Sequence, residues 1–305
     1  MTQTKKIVVI GGGTGTFTVL SGLKKYPFTL SAIITMMDSG GSTGKLRDQY
    51  GVLPPGDVRQ ALVALSECSQ EWRKLFLYRF ADGDFEGHNF GNLFLTALEK
   101  VTGDFTQTLN LAQQLLKTKG NVIPITLHKT HIVAELENGQ FIKHEAYIDK
   151  REKHSPIKRL FLEKKVPVNQ VAVSTITEAD VIIVGPGDLF TSLLSNFIFP
   201  GIVTAYKKSS AKKVLIMNLM NSTGQADSFT TRDYVAMFCN YLGRKPFDFI
   251  ICNNKKIPFG LKKYYAEHGE EELTDDLQPN SSYTLVREDL LSTHAKRYSF
   301  QIRSR

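Results

Sequence analysis

Short apolar runs separated by glycine-rich turns set the rhythm of this 305-residue chain. Residues 5–10 (KKIVVI) end in an uninterrupted β-branched run, the pattern of a strand buried on both faces. GGGTGT follows, then helical spacing over 17–26, then a second buried strand over 30–36 (LSAIITM). Strand, glycine loop, helix and strand in that order open a doubly wound parallel sheet. The prolines of LPPGD interrupt the chain, and Asp57 falls in the first turn of the helix that follows. Helical patterns continue over 72–80, 92–100 and 106–117.

Residues 121–165 change character. HIVAELENGQFIKHE alternates between apolar and polar, and Asn138-Gly139 sits between two strand-like runs, a hairpin signal. A further strand is predicted over 158–162. We read 121–165 as an inserted antiparallel unit. The parallel pattern then resumes, with strands over 180–184, 213–217 and 247–252 and helices opened by the glycine turn of GPGDLFTSLL, over 228–243 and over 257–268. The expected fold is α/β: a doubly wound, mainly parallel sheet in a three-layer α/β/α sandwich. It forms one Rossmann-type domain over 1–305, with a small antiparallel hairpin insertion at about 121–165.

Composition narrows the function classes. Hydrophobic residues make up 42% of the chain and charged residues 22%, ordinary values for a globular protein. Cys68, Cys239 and Cys252 share no metal-ligand spacing and read as reduced thiols of a cytoplasmic protein. The apolar run 7–10 is too short for a signal peptide, and none approaches the roughly 20 residues that span a bilayer. A net charge of +8 favours acidic ligands. It is spread over lysine pairs without a zinc finger, RNP-type aromatics or a helix-turn-helix, so nucleic acid is not an expected partner.

Three glycine segments offer chemistry. Gly11, Gly12, Gly13, Thr14 and Gly15 follow the first strand, where a glycine loop and a helix N-terminus can hold an anion. Thr16 stands where a dinucleotide fingerprint places its third glycine, which disfavours a nicotinamide oxidoreductase. The second segment, DSGGSTGKLR, brings Asp38, Gly40, Gly41, Ser42, Lys45 and Arg47. It lacks the first glycine and the final Ser or Thr of a Walker loop, so it does not predict nucleoside-triphosphate hydrolysis, but its donors suit phosphate. Asp38 ends a strand, where a carboxylate can accept from ribose hydroxyls or hold a metal. The third, GPGDLFTS, adds Gly187 and Asp188 after another strand. GHNFGN contributes His88, Asn89 and Asn92 at the mouth of a helix. In an open α/β sheet, loops after successive strands converge at the carboxyl edge. No serine elbow, HExxH or activated cysteine is visible, so no catalytic residue is assigned.

IVVIGGGTGT, DSGGSTGKLR, GVLPPGDVRQALVAL, GHNFGNLFLTAL and GPGDLFTSLL together resemble the CofD-like family, most closely its YvcK branch of gluconeogenesis factors. The resemblance is collinear over nearly the whole chain. It implies a cytoplasmic bacterial regulator of growth and cell shape on gluconeogenic carbon sources, binding a UDP-sugar such as UDP-N-acetylglucosamine and requiring no cofactor. It leaves room for a homodimer and for envelope-synthesis proteins as partners. The alternative it implies is a metal-dependent transferase like the phospholactate transferase of deazaflavin biosynthesis, with Asp38 and Asp57 as metal ligands. Ser39 replaces an expected aspartate, which weakens that alternative. Tyr265, in the family's Tyr-x-x-x-Gly helix end, and Arg297 are implied contacts to the nucleotide sugar.

Overall fold

The computed structural model describes residues 4–151 and 155–291. Seven strands form one parallel sheet: β1 (Lys6–Ile10), β2 (Thr29–Ile34), β3 (Asn121–Pro124), β7 (Val181–Val184), β8 (Lys212–Ile216), β10 (Phe249–Asn253) and β12 (Thr284–Glu288). Their order across the sheet is β12-β10-β8-β7-β1-β2-β3, every neighbouring pair parallel. Chain order runs outward in both directions from the β1–β7 boundary, so the topological switch point lies there. Ile10, Ile33 and Val184 are fully buried in the centre, each worth about 1.5–3 kcal/mol of transfer free energy.

Two apolar clusters cover the two faces. Val9, Ala32 and Ile34 face Val58, Leu62 and Leu65 of α3 (Gly56–Leu65), with α1 (Gly13–Leu23), α5 (Phe90–Thr102) and α6 (Phe105–Leu115) on the same side. Val8, Ile33 and Ile182 face the opposite cluster, which contains Ala172 and Ile176 of α8 (Gln170–Thr177), Ile202 of α9 (Pro200–Lys208) and Phe238 of α10 (Thr231–Leu242). The alternation follows from strand pleating, which sends successive side chains to opposite faces.

The hairpin expected around Asn138-Gly139 is present as β4 (Ile132–Leu136) and β5 (Phe141–Lys143), and β6 (Ile157–Leu162) pairs with the other edge of β4. The insertion begins later than its sequence suggests, because 121–124 is the outermost parallel strand, paired with β2. Burial of Val122 and Ile123 against the main layers decides this, and local alternation does not report it. Between β5 and β6 lies a short helix, α7 (Glu145–Asp149). Ile132, Ala134 and Leu160 share the main core with Ile33 and Ile182, so the small sheet packs into the same apolar interior.

Other departures are local. DSGGSTGKLR is not an open loop: α2 (Gly41–Tyr50) starts inside it, with Gly40 as its N-cap. The segment after Gly187 forms a π-helical turn, Leu189–Leu193, and a 3-10 turn, Leu194–Ile198, instead of a regular helix. The edge strand β12 and the antiparallel pair β9 (Met220–Ser222) and β11 (Glu270–Glu272) carry no clear sequence pattern. Among the described residues, no single helix is long and apolar enough to cross a membrane.

Candidate functional site

The loops after β1, β7 and β8 enclose a cleft of about 540 Å³ at the switch point. Its near wall is the main chain of Gly12, Gly13, Thr14 and Gly15, which form the N-cap and first turn of α1. Gly187 and Asp188 face them from the β7 loop, and Asn218, Ser222, Tyr265 and Glu270 close the far side. Gly15 packs so closely on the β7 loop that a Cβ there would stand 2.2 Å from the Pro186 carbonyl oxygen. This contact explains why glycine is needed at a position whose backbone any residue could adopt. Asn218 clamps Gly187 like a neighbouring strand: its Oδ1 accepts from Gly187 N at 2.9 Å and its Nδ2 donates to Gly187 O at 2.8 Å. Asp188 accepts from the Ser222 hydroxyl at 2.6 Å.

A second group of predicted residues lies behind the first turn of α1. Asp57 Oδ1 accepts from Gly13 N at 2.9 Å, and a Cβ at Gly12 would stand 2.4 Å from Asp57 Oδ2. Asp38 accepts from Gly40 N at 2.9 Å and from the Thr43 hydroxyl. Asn92 Nδ2 donates to Thr43 Oγ1 at 3.2 Å, and Ser42 Oγ meets His88 Nδ1 at 3.2 Å. A hydrogen-bonded layer thus links Asp38, Thr43, Asn92, Ser42 and His88 beneath the glycine loops. Asn89 belongs to it only as a helix cap: its side chain accepts from Asn92 N and donates to Tyr78 O, and the residue is buried. Its amide is therefore committed to the fold and unavailable to read a sugar hydroxyl. Thr16 is likewise buried, under Gly11, and does not join Thr14 at the cleft.

Gly11 follows β1 and donates to Ile33 O, which ties the first loop to β2. Gly41 opens α2 behind the Gly40 cap. Lys45 is exposed on α2, and Arg47 folds its side chain inward, with Nε on Asp48 at 3.3 Å. Neither lines this cleft. Arg297 lies outside the described residues.

Sequence reading missed the carboxylates that the insertion delivers. Glu145 Oε2 accepts from Ser39 N at 3.1 Å, and Ser39 Oγ accepts from Ala146 N at 2.9 Å. The serine that replaces the expected aspartate thus docks α7, and α7 carries acids back to the same place. Glu145 and Asp149 stand four apart on one helix, the spacing that puts side chains on a common face. That spacing was visible in EAYID, but nothing local tells which loop the helix will meet.

These acids share a poorly solvated region. Burial, reinforced by the charge on Asp38, raises Asp57 to about 7. Burial and Asp38 likewise push Glu145 up to about 8. Burial also raises Asp38, against the pull of the Gly40 N–H and the Thr43 hydroxyl. Asp149 is raised by burial and then by Asp188. Arg59, whose guanidinium neighbours Asp57 and Asp38, is lowered to about 10 mainly by its own burial. Desolvation disfavours each charged form, and the like charges add to it for the acids.

Among the described residues, no three His, Cys, Asp or Glu side chains are placed to share one ion. Asp38 and Asp57 each hold a main-chain N–H, and their second oxygens press against Gly56 and Gly12. Both carboxylates are thereby turned onto the backbone.

Known proteins share this architecture. A crystal structure of a UPF0052-family protein from Bacillus halodurans superposes with a TM-score of 0.89 at 33% identity, covering 100% of both chains. A relative from Aquifex aeolicus is 43% identical over 277 residues, 89% of this chain and 84% of its own. The gluconeogenesis factor of Listeria innocua is 39% identical over 298 residues, 95% of this chain and 92% of its own. The family model described as 2-phospho-L-lactate transferase CofD matches residues 7–291, and the chain belongs to that family, in company with relatives named gluconeogenesis factors.

Proposed function

We propose that this protein is a cytoplasmic gluconeogenesis factor that senses a UDP-sugar, of the UDP-N-acetylglucosamine class, in the cleft between the β1 and β7 loops. The observation that carries the reading is the cleft itself: about 540 Å³ at the switch point, walled by the main chain of Gly12 to Gly15. Main-chain N–H groups at a helix start suit a diphosphate. Asp188, Ser222 and Glu270 offer acceptors and donors for ribose and sugar hydroxyls. Tyr265 supplies a ring edge for a base or sugar. The reading is a binder, and it asks for no cofactor. Through that ligand the protein would adjust cell shape and envelope synthesis on gluconeogenic carbon sources, as a homodimer or with envelope-synthesis proteins as partners.

Calorimetry with UDP-N-acetylglucosamine, UDP-glucose, UDP and ADP-ribose tests it. Heat with the UDP-sugars and little with ADP-ribose is the expected result; silence with every UDP compound removes the reading. The transferase alternative rests on the family relation and on Asp57, an acid near neutrality beside the glycine loop. Turnover of an activated phospholactate donor with magnesium would favour it over the sensor.

A further inference from the structure

A separate chamber of about 440 Å³ lies on the far flank of the sheet, between α10 and the lead-ins to β10 and β12. It shares no lining residue with the glycine-loop cleft. Its wall is apolar: Val235 from α10, Phe247 and Ile250 from β10 and its lead-in, and Leu277 from the segment before β12. Phe247, Ile250 and Leu277 are buried in the core, so this wall is fixed by packing. The mouth is cationic. Arg232, Arg244 and Lys245 stand there, and no Asp or Glu lines the chamber.

The three cations are not equivalent. Arg232 is held by Asp276, through a carboxylate contact at 3.6 Å and a hydrogen bond to the main-chain oxygen at 3.2 Å. Arg244 and Lys245 are exposed and form no ion pair among the described residues. Gly243, at φ +92, turns the chain so that they follow directly on the end of α10. Cations complement a helix C-terminus, but that accounts only for the location of the charge and not for an apolar chamber beneath it. An apolar concavity with a few convergent polar groups is the usual form of a small-molecule site, and its volume falls in the range such sites occupy.

We propose that this chamber binds an organic monoanion with an apolar body, of the medium-chain carboxylate class. Its carboxylate meets Arg244 and Lys245, and its chain lies along Val235, Phe247, Ile250 and Leu277. The site is independent of the UDP-sugar reading, and either can fail without the other.

Cys239 reports on it. The thiol lines the chamber, half-buried, with Sγ 3.9 Å from the Arg244 carbonyl oxygen, and burial pushes its pKa up. The test is alkylation of the full chain at pH 8.5, read site by site by mass spectrometry, with octanoate, octan-1-ol or acetate present and Cys68 as the internal reference. Octanoate is expected to slow Cys239 labelling about ten-fold at saturation while Cys68 is unchanged, with octanol and acetate much weaker. The double variant Arg244→Glu/Lys245→Glu, at exposed positions, should keep the wild-type melting temperature and UDP-sugar heat but lose about ten-fold in octanoate affinity. Three results overturn the proposal: no protection by octanoate, equal protection by octanol, or unchanged octanoate affinity in the double variant.

Discussion

Asp57 Oδ1 stands 2.9 Å from Gly13 N, so a carboxylate from α3 already occupies one of the free N–H groups at the start of α1. An arriving phosphate meets a helix N-terminus partly satisfied by a negative charge. Because Asp57 titrates at about 7, that charge is adjustable near physiological pH.

Affinity for a UDP-sugar should therefore rise as pH falls from 8 to 6, as Asp57 takes up a proton. Asp57→Asn keeps an acceptor for Gly13 N–H and removes the charge, so it should bind about three- to ten-fold tighter at pH 8 and lose much of the pH slope. Stability follows the same sign. An acid raised above its unfolded value contributes stability that is full below about 4 and is lost as pH rises through about 7. Denaturation midpoints of the wild type should fall between pH 4 and 7 and level off above it, and those of the Asn variant should fall less.

Gly15→Ala tests the contact between the β1 and β7 loops. The added Cβ meets a main-chain oxygen, which cannot swing away as a side chain can. Overpacking of this kind costs about 1–3 kcal/mol, and the cleft wall must shift to absorb it. A lower urea midpoint with weakened UDP-sugar binding is the expected pair of results.

Asn218→Ala removes both hydrogen bonds that hold the Gly187 peptide. Leaving those groups short of partners costs about 1–3 kcal/mol. Hydrogen exchange should show faster amide exchange at 187–189 than in the wild type, and an unchanged pattern there would show that the clamp is redundant.

Lys45→Ala should leave UDP-sugar affinity within about two-fold, because the side chain is exposed on α2 and screened by solvent. Tyr265→Ala, which opens the far side of the cleft, should weaken binding markedly in the same titration.

His131 and His144 meet Nδ1 to Nδ1 at 2.8 Å, beside Arg47. Burial, then Arg47 and His144, depress His131 to about 4. NMR titration should find that imidazole neutral down to about pH 5. The stability linked to it is lost as pH drops from about 6.5 towards 4, since the unfolded chain then binds the proton more readily. An imidazole that protonates above pH 6 in the folded chain would falsify this packing.

Much of the architecture was legible in single segments. KKIVVI and LSAIITM are apolar on both faces and became central strands, because a strand covered by helices on two sides has no water-facing row. Asn138-Gly139 marked its hairpin through turn chemistry that acts over a few residues. The glycine loop after β1 was legible too, since strand, glycines and helix occur in direct succession.

Placement across the fold was not. NVIP reads like the start of the insertion but pairs with β2, a choice made by the open edge of the sheet. Nor does the sequence show where in DSGGSTGKLR the helix begins, which sets Lys45 and Arg47 on α2 outside the cleft lining. Glu145 and Asp149 were not recognised because their partners, Ser39 and Asp188, lie far away in the chain. Sequence alone determined which segments are strands and helices and where glycine permits close approach, since propensity, periodicity and turn chemistry are local. Only the tertiary structure decided which side chains face the cleft and which are held in the layer behind it. It also set the protonation of Asp57 and Glu145, because burial and like-charge proximity arise only when distant segments pack together.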